Sequence, residues 1–168
     1  MNINEISIRR ELRPGDLGYV MHRHGVLYSR EFGYGIEFEA YVGGGLADFY
    51  GNYDPKADAV WVCEHGDRIV GFLALMHRAA ATAQLRFFYL EPDYRGLGLG
   101  KTLMQAYMDF LAGRGYRRSY LWTTHELGAA AALYIRHGFR LTEEKESSAF
   151  GKRLREQRYD WIGGDMTQ

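Results

Sequence analysis

The chain has 168 residues, enough for one domain with its own core, and its 46% hydrophobic and 25% charged residues are ordinary for a soluble globular protein. Lys plus Arg and Asp plus Glu both total 21, so no positive excess advertises a nucleic acid, and no apolar run approaches membrane-spanning length. The single Cys63 excludes an internal disulfide framework and fits a reducing cytoplasm, and the opening MNINEISIRRELRPGD lacks a signal-peptide core. The expectation is one cytoplasmic domain over residues 1–168, with no membrane or nucleic-acid partner and compatible with a homodimer. His22 and His24 lie two apart on a helical stretch and point in different directions, while His65, His77, His125 and His137 show no ligand spacing. No metal site is expected.

In chain order, EISIRREL alternates Ile6 and Ile8 with polar residues and reads as a strand. RPGD breaks the pattern and offers Asp16 as a helix N-cap. Leu17, Val20, Met21, Leu27 and Tyr28 then recur at helical spacing until Gly33. A second helix runs through Phe38, Val42 and Phe49, with Gly43 to Gly45 lowering its propensity. AVWVCE and RIVGFLALMH are strands joined by HGD, a hairpin signal, and QLRFFYL is a further strand. Leu99, Leu103, Tyr107, Phe110 and Leu111 mark an amphipathic helix ended by GRG. YRRSYLWTT is a strand, LGAAAALYIRHGF a helix stopped by Gly138, and FRLTEE and EQRYDWI are the last strands. The order βααβββαβαββ describes an α/β domain with a mixed sheet. The helix between QLRFFYL and YRRSYLWTT is a crossover, which makes those strands parallel neighbours.

Between a strand and that helix lies EPDYRGLGLGKTLMQAY, residues 91–107. Helix N-terminal amides attract anions, and glycines let several of them approach one phosphate. A Walker A loop requires glycine where Arg95 stands, and a dinucleotide fingerprint starting at Gly96 or Gly98 ends on Lys101 or Leu103. Both miss one essential residue. The stretch LRFFYLEPDYRGLGLGKTLM resembles instead the coenzyme A loop of the GNAT superfamily of N-acetyltransferases, through Arg95, Gly98 and Gly100. A second motif, AAAALYIRHGF, is similar to the superfamily helix ending L-Y-x-x-x-G-F. PGDLGYVMHRHGVLYSREFG and FGKRLREQRYDW look like the acetyltransferase half of proteins fused to a MarR-type regulator, so the chain is expected to be a free-standing relative.

The resemblance implies a GNAT-like acyl-CoA N-acyltransferase fold and transfer of acetyl from acetyl-CoA to a primary amine, by direct attack in a ternary complex. It implies that the amides of Arg95, Gly96, Leu97, Gly98, Leu99, Gly100, Lys101 and Thr102 cradle the pyrophosphate. It also implies that the strand ending at Leu90 pairs with the pantetheine arm, the Leu90 N–H serving the oxyanion. Tyr134 then faces the thioester sulfur as the acid that protonates the leaving thiolate, because an ordinary tyrosine titrates near 10 and stays protonated. Where many members carry Asn, seven residues before that tyrosine, this chain has Leu127. Cys63, in an apolar strand without a base, reads as a structural thiol. A catalytically silent acyl-CoA-binding module is the competing reading, separated from an enzyme by Tyr134 and a usable acceptor pocket. For that pocket, His24, Tyr28 and Glu31 fall on one helical stripe with Leu17 and Met21. Glu37 and Glu39 follow, which points to an acidic pocket for a small-molecule, cationic amine.

Overall fold

A computed structural model describes residues 2–164. The elements are β1 (Ile6–Arg9), α1 (Asp16–Phe32), α2 (Ile36–Gly51), β2 (Ala59–His65), β3 (Arg68–Arg78), β4 (Thr82–Leu90), α3 (Leu99–Gly113), β5 (Arg118–Thr124), α4 (Gly128–Arg136), β6 (Arg140–Ser147) and β7 (Leu154–Ile162). This is the element order that the sequence pattern predicts. Short 3-10 turns at Ile3–Glu5 and Pro92–Tyr94 add to it. The sheet runs β1-β2-β3-β4-β5-β7-β6, antiparallel except for the predicted parallel β4–β5 pair.

The central strands are buried on both faces, and their alternation sorts two cores. Ala59, Trp61 and Cys63 of β2 join Leu103, Tyr107 and Tyr134 from α3 and α4. Val60 and Val62 turn the other way, toward Val20, Leu27, Phe38 and Phe49 of α1 and α2. Two glycines of α2 lie where neighbouring side chains approach closely. A Cβ at Gly43 would collide with the Met21 side chain, and one at Gly45 would stand 2.6 Å from Arg86 Nη2.

Helix α1 starts differently from the expectation. Gly15, at φ +92°, is the cap, and Asp16 is the first helical residue without capping its own helix. Its carboxylate is instead taken by Arg9 at 2.7 Å and by the Arg13 N–H at 2.7 Å. A buried ion pair to the edge strand outcompetes the cap, because unpaired Arg9 would be costly there. Helix α1 does end at Gly33, in the left-handed conformation.

Strand β4 carries the feature that shapes the site. Phe87 has φ +57°, and the β3–β4 register shifts between Phe72 and Ala74. Before this bulge, Ala83 and Leu85 face α3 and α4; after it, Phe87 and Tyr89 face α1 and α2, and Phe88 and Leu90 take the other side. A one-residue slip exchanges the faces. The parallel ladder from β4 to β5 has only three pairs, from Thr82–Arg118 to Gln84–Tyr120. Beyond Gln84 the two strands separate.

Candidate active site

The opening between β4 and β5 is a cavity of about 110 Å³. Its walls come from the end of β4, from Trp122 to Thr124 of β5, from Leu127 and Tyr134 at α4, from α1 and α2, and from Phe150 between β6 and β7. The β6–β7 connection is held over this end by the Gly35 N–H to the Phe150 carbonyl at 2.9 Å and by Lys152 Nζ to the Phe32 carbonyl at 2.8 Å.

The glycine loop follows β4 directly, and its Gly100 packs beside the end of that strand, where a Cβ would be 3.6 Å from Leu90 and 3.7 Å from Phe88. The Arg95 N–H donates to Pro92 O at 3.2 Å and the Thr102 N–H to Gly98 O at 3.0 Å. The expected cradle of Arg95 through Thr102 is therefore narrower. The amides of Gly96, Leu97, Gly98, Leu99, Gly100 and Lys101 have no acceptor among the described residues. Gly96 and Gly98 have φ +75° and +86°, which only glycine adopts cheaply, and nothing lies within 4 Å of where their Cβ atoms would be. Gly100 serves packing, since a Cβ there would be 3.3 Å from Leu133 of α4. Six unspent donors at the start of a 15-residue helix form an anion seat.

Leu90, the last residue of β4, pairs with Gly71. The next pair is bonded, with the Glu91 N–H donating to Val70 O at 2.8 Å. Antiparallel pairs alternate, so the polar groups of Leu90 turn away from β3, toward the gap. Its carbonyl accepts from Arg95 Nε at 3.1 Å, while the Arg95 fork holds Glu31 at 2.9 and 3.0 Å. Arg95 thus ties the loop to β4 and α1 through its side chain.

Tyr134 lines the cavity and is 5% exposed, among Phe88, Phe139 and Tyr159. Its hydroxyl has no hydrogen-bond partner among the described residues, and burial holds its pKa well above the tyrosine range. It remains a proton donor. Leu127, at the N-terminal boundary of α4, lines the cavity with an apolar surface. Cys63 is buried and its thiol is pushed up to about 12 by burial, so no thiolate forms.

His24 and Tyr28 of the predicted stripe both reach the cavity; Glu31 does not, because it is spent on Arg95. Glu37 and Glu39 are outside this lining too, Glu39 lying against Gly25 of α1. The acidic pocket is thereby corrected: the charged residues that do line the cavity are Arg86 and Glu156. Neither stands out in the sequence, because a strand bulge and a remote hairpin deliver them. His24 is 2% exposed, stacks on Tyr28 with ring centroids 5.6 Å apart, and donates from Nδ1 to the Val20 carbonyl at 2.8 Å. Burial lowers its pKa to about 4, so it is neutral, and Nε2 is left without a partner. Thr123 Oγ1, on the opposite wall, is likewise buried and unpartnered. An unsatisfied buried polar atom costs about 1–3 kcal/mol, which a polar ligand in the cavity would recover.

Known proteins share this architecture. The family model described as Acetyltransferase (GNAT) family matches residues 27–139, from α1 through the end of the second motif. The uncharacterized N-acetyltransferase YjgM of Escherichia coli (strain K12) is 34% identical over 97 residues, covering 56% of this chain and 58% of that protein. N-acetyltransferase 8F1 of Rattus norvegicus is 28% identical over 110 residues, covering 62% of this chain and 50% of its own length. The chain thus spans about half the length of the curated relatives it matches. Among solved structures, a GNAT-family acetyltransferase of Staphylococcus aureus MU50 superimposes with a TM-score of 0.75 at 20% identity, over 94% of this chain and 98% of that one. The structure of yncA from Salmonella typhimurium with its cofactor acetyl-CoA gives 0.72 at 18% identity, over 98% of both chains.

Proposed function

The chain belongs to the acetyltransferase (GNAT) family, and from that premise we propose that it transfers the acetyl group of acetyl-CoA to a primary amine on a small molecule. The observation that carries this reading is the run of six unspent amides beside a sheet gap that ends at Tyr134. In this reading the amides of 96–101 hold the pyrophosphate, and Lys101 adds positive charge at the same helix start. Acetyl-CoA supplies the activated acyl thioester. The Leu90 N–H, turned into the gap, donates to the carbonyl oxygen as negative charge develops on it. Tyr134 gives its hydroxyl proton to the departing thiolate, and its raised pKa keeps that proton in place until then.

The amine approaches from the α1–α2 side. His24 Nε2 and Thr123 Oγ1 accept its N–H groups and orient the lone pair. His24 titrates near 4 and is too weak a base to strip an ammonium ion, so it positions the amine, which attacks in its neutral form; the proton that the nitrogen sheds on becoming the amide returns through solvent to the Tyr134 oxygen. The finer likeness, to the acetyltransferase half of MarR-type fusion proteins, belongs to the same reading and is carried by residues 14–33 and 150–161.

The test is a thermal-shift series with acetyl-CoA, CoA, ATP with magnesium, and NAD, followed by CoA release in the presence of an amine panel. Acetyl-CoA should raise the Tm, and an accepted amine should release CoA. A shift by ATP but none by acetyl-CoA would refute the coenzyme assignment; coenzyme binding without turnover on any amine would favour a silent acyl-CoA-binding module.

A further inference from the structure

Of the four arginines that are not exposed among the described residues, three are matched to carboxylates. Arg9 meets Asp16 at 2.7 Å, Arg23 meets Glu91 at 2.6 Å and Arg158 meets Asp160 at 2.9 Å. The fourth, Arg86, lines the cavity and has neither an ion-pair nor a hydrogen-bond partner among the described residues. The guanidinium is half-buried and turned into the cavity, so its five unspent donors are available to an accepting group there.

The fold makes room for it at some expense. The bulge at Phe87 leaves Arg86 and Phe87 both on the α1–α2 side, where the guanidinium stands 4.6 Å over the Phe87 ring and 5.9 Å from the Tyr41 ring. On α2, Gly45 leaves the space that the guanidinium fills: a Cβ there would be 2.6 Å from Nη2 and 3.2 Å from Cζ. A helical glycine costs roughly 1 kcal/mol relative to alanine, so this contact is a reason for glycine at that position. Across the gap, Glu156 of β7 lines the same cavity and has no cation within ion-pair distance among the described residues. One arm of the gap thus offers an unmatched positive charge and the other an unmatched negative one.

We propose that Arg86 seats an oxyanion on the acceptor, so that the amine acetylated here also bears a carboxylate, as an amino acid does. This rests on the acetyl-transfer reading above. The planar fork takes the two carboxylate oxygens side by side, as arginine does with carboxylates generally. Glu156 faces the amine end before its proton is lost, and the aromatic surfaces of Tyr41, Trp122 and Phe150 receive an apolar side chain. Arg86 is a specificity determinant in this arrangement, fixed by Gly45.

The experiment compares the twenty protein amino acids with their primary amides, as acceptors in a CoA-release assay and as ligands of the CoA-loaded protein by calorimetry. Losing the carboxylate should lower kcat/KM about 10- to 100-fold, the range expected for a hydrogen-bonded charge. Arg86→Met should raise the acceptor KM by a similar factor with kcat little changed, and should erase the preference for acid over amide. Gly45→Ala, which favours the helix but pushes on the guanidinium, should act in the same direction without altering charge. Amides that serve as well as acids, or a preference that survives Arg86→Met, would overturn the proposal. So would a panel in which no amino acid binds or reacts. The acetyl-CoA thermal shift of the same preparations reports separately on the acetyl-transfer reading, so failure of one is distinguishable from failure of the other.

Discussion

At the scale of single residues, burial does most of the chemical work in this cavity. Tyr134 is shielded among aromatic rings, and its pKa lies above the ordinary value of 10. Tyr134→Phe keeps the ring and removes the proton, so kcat should fall on the order of 100-fold while the KM for acetyl-CoA changes little. The wild-type rate should rise with pH as the amine loses its proton, with no descending limb from Tyr134 below about pH 10. A steady-state pH series on both proteins checks this. His24 makes the opposite statement about stability. Its pKa is about 4 in the folded protein and near 6.5 when exposed, so the folded state binds fewer protons between those values. Its contribution is therefore unaffected above pH 6.5, declines as pH falls from there, and is fully lost near pH 4. The loss amounts to roughly 3 kcal/mol at 1.36 kcal/mol per unit. Urea midpoints measured from pH 7 to pH 4 should show that decline in the wild type and a shallower one in His24→Phe.

At the scale of elements, the β3–β4 connection carries strain that the sequence conceals. Ala80 and Ala81 have φ +57° and +53°, a conformation that alanine adopts at a cost of about 1–2 kcal/mol per residue. Replacing them together with Asn and Gly, the pair suited to a left-handed hairpin turn, should raise stability by ~1 kcal/mol in a urea melt without altering acetyl-CoA affinity. The chain RAAAT holds no glycine or asparagine, so nothing in it announces a turn. The HGD connection does, and it was legible for that reason: Gly66 sits there at φ +60°. The order of the elements was legible from periodicity, and so was the parallel pair, because a crossover helix permits little else. The glycine loop stands out in the sequence because its pattern is local in the chain. Arg86 and Glu156 could not, since 70 positions separate them and a positive φ at Phe87 decides which way β4 turns. Glu31 lies outside the cavity lining for a related reason: a helical stripe says which face a residue occupies, not that Arg95 will come from elsewhere to claim it.

At the scale of the whole molecule, three residue pairs are all that join β4 to β5, whereas β5 and β7 share seven. In backbone pairing the sheet therefore divides into two blocks meeting along a short seam, β1–β4 on one side and β5–β7–β6 on the other. Opening the seam breaks few backbone hydrogen bonds, so the smaller block should detach in partial unfolding events well below the free energy of global unfolding. Native-state hydrogen exchange in graded denaturant would then resolve two classes of amide. A ligand lodged in the gap touches both blocks, and it must stabilise their junction more than either interior. With saturating acetyl-CoA the two exchange classes should merge into one, and the substrate would act as the missing strand pairing that makes this protein a single folding unit.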